Sequence, residues 1–173
     1  NSAETFNFDV TEVEILENGN VFKGSKRGLI TTGGGIKLEA DNFNYNKNSN
    51  VLKASGKVKI EDSINNYLLF SDQITYLRNE NIIFTEKKSR AINLNDNSTI
   101  NADEFEYNKN LNILNANKNV VIEDQIKDYK ILSNKITYFK NEEKIITEGK
   151  TKALIHSSYE VNSTNVTFLK NKM

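Results

Sequence analysis

Residues 131–138 read Ile-Leu-Ser-Asn-Lys-Ile-Thr-Tyr, and the chain is built from this stretch. Its pattern is apolar, any, small, any, any, apolar, any, aromatic. The same pattern starts at Leu69 (Leu-Phe-Ser-Asp-Gln-Ile-Thr-Tyr), at Ile100 (Ile-Asn-Ala-Asp-Glu-Phe-Glu-Tyr) and at Leu38 (Leu-Glu-Ala-Asp-Asn-Phe-Asn-Tyr). Looser copies start at Val161 and Phe8. The starts 8, 38, 69, 100, 131 and 161 are therefore separated by steps of 30, 31, 31, 31 and 30 residues. A fixed step of that size marks a repeat architecture.

The unit contains a slip of parity. Ile131 and Ser133 are two apart, as on one face of a strand, and Ile136 and Tyr138 are two apart on the opposite parity. A period-2 pattern that slips by one has changed faces unless an extra residue is absorbed. A β-bulge absorbs one residue and bends the strand. The slip follows a small residue each time: Ala40, Ser71, Ala102, Ser133 and Ser163. This predicts long strands bent at that point. Both halves then face one interior, so that Leu38, Leu69, Ile100 and Ile131 share it with Phe43, Ile74, Phe105 and Ile136. The alternative is that Ala or Ser merely sits on a crowded face.

Between the units lie return strands. Leu52, Ala54, Gly56, Val58 and Ile60 alternate cleanly, and Leu114, Ala116, Val120 and Ile122 repeat four of them at a step of 62. Thr85, Glu86 and Ala91 become Thr147, Glu148 and Ala153 at the same step. The longer period is thus two hairpins. Asn18-Gly19 and the Asn-rich segments 46–50, 62–66, 93–97 and 108–110 read as turns, because Asn and Gly tolerate positive φ. Turns of about five residues close antiparallel hairpins, not parallel crossovers. No stretch has helical spacing over the ten or more residues that a helix needs. The expectation is an all-β, antiparallel fold of about eleven long, bent strands, forming two facing sheets of a half-open sandwich or jelly roll.

Composition excludes several functions. The 173 residues hold 23 basic and 23 acidic side chains, so net charge is zero and the basic surplus of a nucleic-acid binder is missing. There is no Cys, Pro or Trp. No run approaches the ~20 apolar residues of a membrane helix. His156 is the single histidine, which rules out His-based triads and two-His metal sites. Its reading is an exposed turn residue. Asp41, Asp72 and Asp103 recur at a step of 31, but Asn134 and Thr164 continue the series and metal loops cluster acids more tightly. They are read as turn chemistry, bonding nearby backbone amides. Gly33-Gly34-Gly35 lacks the Lys and Ser/Thr of a phosphate loop and reads as a turn. Lys23, Lys26 and Arg27, and Lys87, Lys88 and Arg90, read as solvated faces. The sharper reading is contact with head-group phosphates at a groove mouth.

The motifs also carry a resemblance. Ala-Asp-x-Phe-x-Tyr-Asn-Lys at 40–47 and 102–109, Ala-Ser-Gly-Lys-Val-Lys-Ile at 54–60 and Ser-Asp-Gln-Ile-Thr-Tyr at 71–76 resemble the OstA-like/LptA family of lipopolysaccharide transport. That family includes the bridge protein LptA and the N-terminal periplasmic domain of LptD, and LptC shares its fold. The resemblance spans residues 8–173 as a single domain of hairpin repeats.

It implies a V-shaped β-jellyroll whose apolar groove shields lipid A acyl chains of lipopolysaccharide on their way to the outer membrane. It implies a periplasmic location, at the outer membrane if the LptD reading holds, and no catalysis and no cofactor. It also implies pairing with other Lpt proteins, or head to tail with itself, through edge strands. The groove residues it implies are the two inward sets above, the aromatics Tyr45, Tyr76, Tyr107 and Tyr138, and the return-strand residues Leu52, Val58, Ile60, Leu114, Val120 and Ile122.

Family LptD proteins commonly carry cysteines, and the absence of any here speaks against redox-controlled assembly through this segment. The sixth unit ends without its return strand, which points to a fragment of a longer chain and to LptD rather than a whole LptA. The alternatives are a ligand-free structural β-repeat, such as a surface solenoid or adhesin segment, and, more weakly, a carbohydrate-active β-helix enzyme.

Overall fold

Each small residue at the parity slip is the point where the ladder changes register. The computed structural model describes residues 6–173 and contains fifteen strand segments. Seven are long and continuous: β7 (Val51–Asp62), β8 (Tyr67–Leu77), β9 (Ile82–Asn93), β10 (Thr99–Asn108), β11 (Ile113–Asp124), β12 (Tyr129–Phe139) and β13 (Lys144–Ile155). The rest are halves of broken strands: β1 (Phe6–Asp9) with β2 (Glu12–Leu16), β3 (Val21–Ser25) with β4 (Gly28–Thr32), β5 (Ile36–Ala40) with β6 (Asn42–Asn46), and β14 (Tyr159–Thr164) with β15 (Thr167–Leu169). Joined at their breaks, the fifteen segments make the eleven strands that the sequence predicts.

All pairings are antiparallel in one sheet. The shifts fall between Ser55 and Val58, Phe70 and Gln73, Asn101 and Glu104, Asn117 and Val120, and Ser133 and Lys135. The sheet folds along this line into two leaves. One leaf holds β1, β4, β5, β14 and the halves of β7–β13 that border the turns after Asp62, Asn93, Asp124 and Ile155. The other holds β2, β3, β6, β15 and the opposite halves. Leu38, Ile74, Phe105 and Ile131 therefore lie in one core cluster with residues from both leaves.

The bend has its own backbone chemistry. On the return strands two successive residues occupy the left-handed region, as at Gly56-Lys57, Lys87-Lys88 and Lys118-Asn119. Gly56 also lies against Asp41, whose Oδ2 would meet an added Cβ at 2.6 Å. A buried hydroxyl network explains the 62-residue period. Ser71 Oγ donates to the Glu86 carbonyl at 2.7 Å and Ser89 Oγ reaches Ser71 Oγ at 3.4 Å. One period later Ser133 Oγ donates to the Glu148 carbonyl at 3.3 Å and Thr151 Oγ1 to Ser133 Oγ at 3.2 Å. These hydroxyls satisfy carbonyls that the bulge takes out of the ladder, which buried polar groups require. At alternate units Ala40 and Ala102 stand in their place.

Val10 fills the corner between Gly24 and Gly28, approaching each within 2.8 Å of where a Cβ would stand. At the free ends of the leaves the turns repeat. Asn50, Asn81, Asn112 and Glu143 take positive φ on one leaf, and Asn66, Asn97 and Asp128 on the other. Among the described residues the only helices are three-residue 3-10 turns.

Candidate functional site

The interior between the leaves is where the sequence places its candidates. All eighteen face it, and all are buried except the half-buried Tyr45. They form one apolar cluster that runs from Ile30 to Phe168.

The free ends of the leaves meet along a seam of polar contacts. Tyr107 donates to Asp62 Oδ2 at 2.6 Å, and Asn65 Nδ2 donates to the Tyr107 oxygen at 2.7 Å. One unit on, Asn93 Nδ2 donates to the Tyr138 oxygen at 3.2 Å. Lys140 Nζ bonds the Asn65 and Asn66 carbonyls of the opposite leaf and sits 4.3 Å from the centre of the Tyr67 ring. Lys170 Nζ donates to Asp96 Oδ2 at 2.6 Å and to the Tyr138 oxygen at 3.0 Å. These contacts close the mouth along the middle of the molecule.

Sequence reasoning missed the cations of this seam. Arg78, Lys109, Lys140 and Lys170 each stand two residues after the inward aromatic Tyr76, Tyr107, Tyr138 or Phe168, and all four are buried. Their spacing of 31, 31 and 30 residues was the available signal. Lys23, Lys26, Arg27, Lys87, Lys88 and Arg90 are exposed instead. The solvated-face reading holds for them, and because Lys87 and Lys88 lie at the bend, the far side of each leaf from the mouth, the sharper reading of contact at the mouth is corrected. The reason is geometric: bulge residues make the fold line, and turns make the mouth. Arg27 pairs with Asp41 at 3.3 Å and Lys26 with Glu12 at 2.6 Å, both in solvent.

The acid series is corrected too. Asp41 accepts from the Arg27 guanidinium, and Asp103 Oδ2 accepts from Asn119 Nδ2 at 3.0 Å. Backbone amides are bonded instead by the later Asn134 and Asn165. His156 is an exposed turn residue with φ of 51°.

The buried seam shifts its titratable groups. Burial pushes the Tyr138 phenol up to about 12, against the pull of Lys170. Burial raises Tyr67, Tyr107 and Tyr129 as well. Burial alone would raise the Asp96 carboxyl, but hydrogen bonds from Lys170 and Ser98 bring it below its ordinary range. Burial opposes the Lys170 ammonium, yet Tyr138 and Asp96 hold it above its ordinary value. Lys140 is lowered by burial. These are neutral phenols and fixed charges that zip two leaves together. Among the described residues no cluster of His, Cys, Asp or Glu has the arrangement of a metal site.

At the two ends the apolar interior comes to the surface. Phe8, Val13 and Ile15 point inward from the first strand pair, yet are 39%, 50% and 60% exposed. With Val10, Phe22 and Phe43 they line an apolar cavity of about 190 Å³. At the other end Tyr159 and Val161 of β14 are 68% and 40% exposed. Val161 lies opposite Ala153, which is fully buried, so its side chain belongs to the inner face.

A bent, unclosed antiparallel sheet with an apolar inner face invites comparison with solved structures. One similar solved structure is LptH from Pseudomonas aeruginosa, described as the LptA-homologous periplasmic component of the conserved lipopolysaccharide transport device. The TM-score is 0.63 at 15% identity, over 70% of this chain and 96% of that one. The chain has the LptA-type fold. No family model matches the sequence, and no curated protein does. The expected fold class is thus met: all-β and antiparallel, one unclosed sheet of bent strands consistent with the LptA-type jellyroll that the resemblance implies.

Proposed function

We propose that this chain is a non-enzymatic module of lipopolysaccharide transport, a single domain that shields acyl chains between its leaves in the periplasm. The observation that carries the reading is the continuous apolar interior that surfaces at both ends. Inward-facing Phe8, Val13 and Ile15 at one end and Tyr159 and Val161 at the other present inner face that nothing in the described chain covers. Exposed apolar surface of this kind calls for a ligand or a partner. Both ends are also sheet edges with free backbone groups, β1 and β2 at one end and β14 at the other. Pairing edge to edge with another Lpt protein, or with a second copy, joins two interiors into one channel. The LptA-type fold supports the reading, since the similar LptH belongs to a lipopolysaccharide transport device.

A second reading, a ligand-free structural repeat, is favoured by the closed seam, which buries Tyr107 and Asp62 as a core would. The two differ in whether the interior takes up lipid. Purified protein titrated with lipopolysaccharide, and separately with its deacylated core, decides it. Uptake of the acylated form alone supports the conduit, and uptake of neither supports the scaffold.

A further inference from the structure

Of the four buried cations on the seam, Arg78 is the one with fully buried side-chain nitrogens left unbonded among the described residues. Lys140 is committed to two carbonyls and Lys170 to Asp96 and Tyr138. Arg78 is 8% exposed, and its Nε and Nη2 find no acceptor among the described residues. Its other nitrogen, Nη1, is pinned by Asn50 Oδ1 at 3.4 Å, and Asn50 is itself held by Tyr45, whose hydroxyl donates at 2.7 Å. The ring of Phe6 lies against the guanidinium, 4.6 Å from centroid to Cζ. The group is therefore fixed in position with one edge unused.

That edge has a shape. Nε–H and Nη2–H lie side by side and point the same way, and such a fork matches two oxygens of one oxyanion. Leaving a buried guanidinium edge unbonded is unfavourable, because its desolvation is not offset. Arg78 stands at the end of the seam where Phe8, Val13 and Ile15 surface. The segment over it is β1, a four-residue edge strand, the kind of element that opens locally at low cost.

We infer that Arg78 is an oxyanion subsite at the N-terminal end of the seam, which takes the phosphate group of an anionic amphiphile. The phosphate enters as β1 yields, accepts from Nε and Nη2, and leaves the acyl chain beside the apolar cavity under Phe8 and Phe43. The acyl-chain half of this inference rests on the conduit reading, and the oxyanion half stands without it. Lys140 and Lys170 do not share the role, since their charges already bridge the leaves.

The test uses dodecyl phosphate below its micellar concentration, with dodecyl maltoside as neutral control and inorganic phosphate as the headless anion. Binding is followed through the Nε–H resonance of Arg78 and by calorimetry. The wild type is expected to prefer dodecyl phosphate over the maltoside, with Arg78 Nε–H shifting on binding. R78Q and R78K, checked for folding by circular dichroism, are expected to lose ~10-fold of that preference, the worth of a charge-assisted pair of hydrogen bonds. R78K keeps the charge and lacks the fork, so its loss separates geometry from charge. If inorganic phosphate alone moves the Arg78 resonance and neither amphiphile is taken up, the oxyanion subsite stands and the conduit reading falls. If both variants keep the wild-type preference, or Nε–H does not move with any phosphate, the inference is overturned.

Discussion

Replacing Phe168 by Tyr is expected to stabilise the protein. Phe168 pairs with Ile145, and Ile145 with Tyr138, so Phe168 occupies the place in its unit that Tyr107 and Tyr138 occupy in theirs. The hydroxyl of Tyr107 bonds Asp62, and that of Tyr138 bonds Asn93. The next member of the 62, 93 series is Asp124. Its Oδ1 caps the following turn through the Ile126 and Lys127 amides at 3.0 and 2.9 Å, and its Oδ2 is buried with no partner among the described residues. A phenol at position 168 supplies the donor. A hydrogen bond to a charged group is worth about 1.5–3 kcal/mol net, and seating a hydroxyl offsets part of it, so a gain of about 1–2 kcal/mol is expected. For a chain of this size that is roughly 2–8 °C in melting temperature. The converse change, Tyr107→Phe, strands Asp62 Oδ2 and is expected to cost about 2–3 kcal/mol. Urea denaturation of wild type, F168Y, D124A and F168Y/D124A gives the coupling energy directly, because alanine removes the partner that either Asp or Asn would supply. A gain in F168Y that persists in the D124A background, or no gain at all, would show that the units are not equivalent at the seam and would refute the argument.

Further outcomes follow from other parts of the fold. Phe105→Asp or Ile136→Asp, each burying an unpaired charge, is expected to lower stability by several kcal/mol, measured by urea unfolding; an unchanged melting temperature in both would show that these residues do not face the interior. Lys88 holds φ of 42°, and K88G is expected to add about 0.5–1 kcal/mol in urea unfolding by removing left-handed strain; a loss of stability would show that the lysine side chain itself holds the bend and refute the expectation. Asp96 is held below its unfolded value, so its contribution is present above about pH 4 and is lost as pH falls through the lower folded value. The stability difference between wild type and D96N should accordingly shrink on acidification, and a constant difference would dismiss the Lys170 pair. Sedimentation over a wide concentration range is expected to show end-to-end oligomers, and a strict monomer at millimolar concentration would mean that the edges are guarded.

The bend was legible because it is written in apolar residues whose parity is visible: Leu69 and Ile74 cannot both face inward unless one residue is absorbed between them. The antiparallel order was legible from short Asn-rich turns, and Asn50, Asn66, Asn81 and Asn97 do take the positive φ that the turns need. The seam was not legible in the same way. Arg78, Lys109, Lys140 and Lys170 stand beside turns, where a cation ordinarily reads as solvated, and only the meeting of two leaves buries them. Lys140 bonds carbonyls 74 and 75 residues earlier, a contact that no local pattern announces. The break between β3 and β4 was not legible either, because Val10 closing on Gly24 and Gly28 is a matter of three-dimensional space, not of period.

The central claim is that the interior between the leaves carries acyl chains. Photo-crosslinking tests it most directly. A crosslinking residue is placed at inward Phe105 or Ile136 and, as control, at outward Glu106 or Lys135, in cells that make radiolabelled lipopolysaccharide. The account predicts labelled adducts from the two inward positions and none from the outward pair. Absence of adducts from both inward positions, in protein that has folded, or equal labelling from all four, would contradict it.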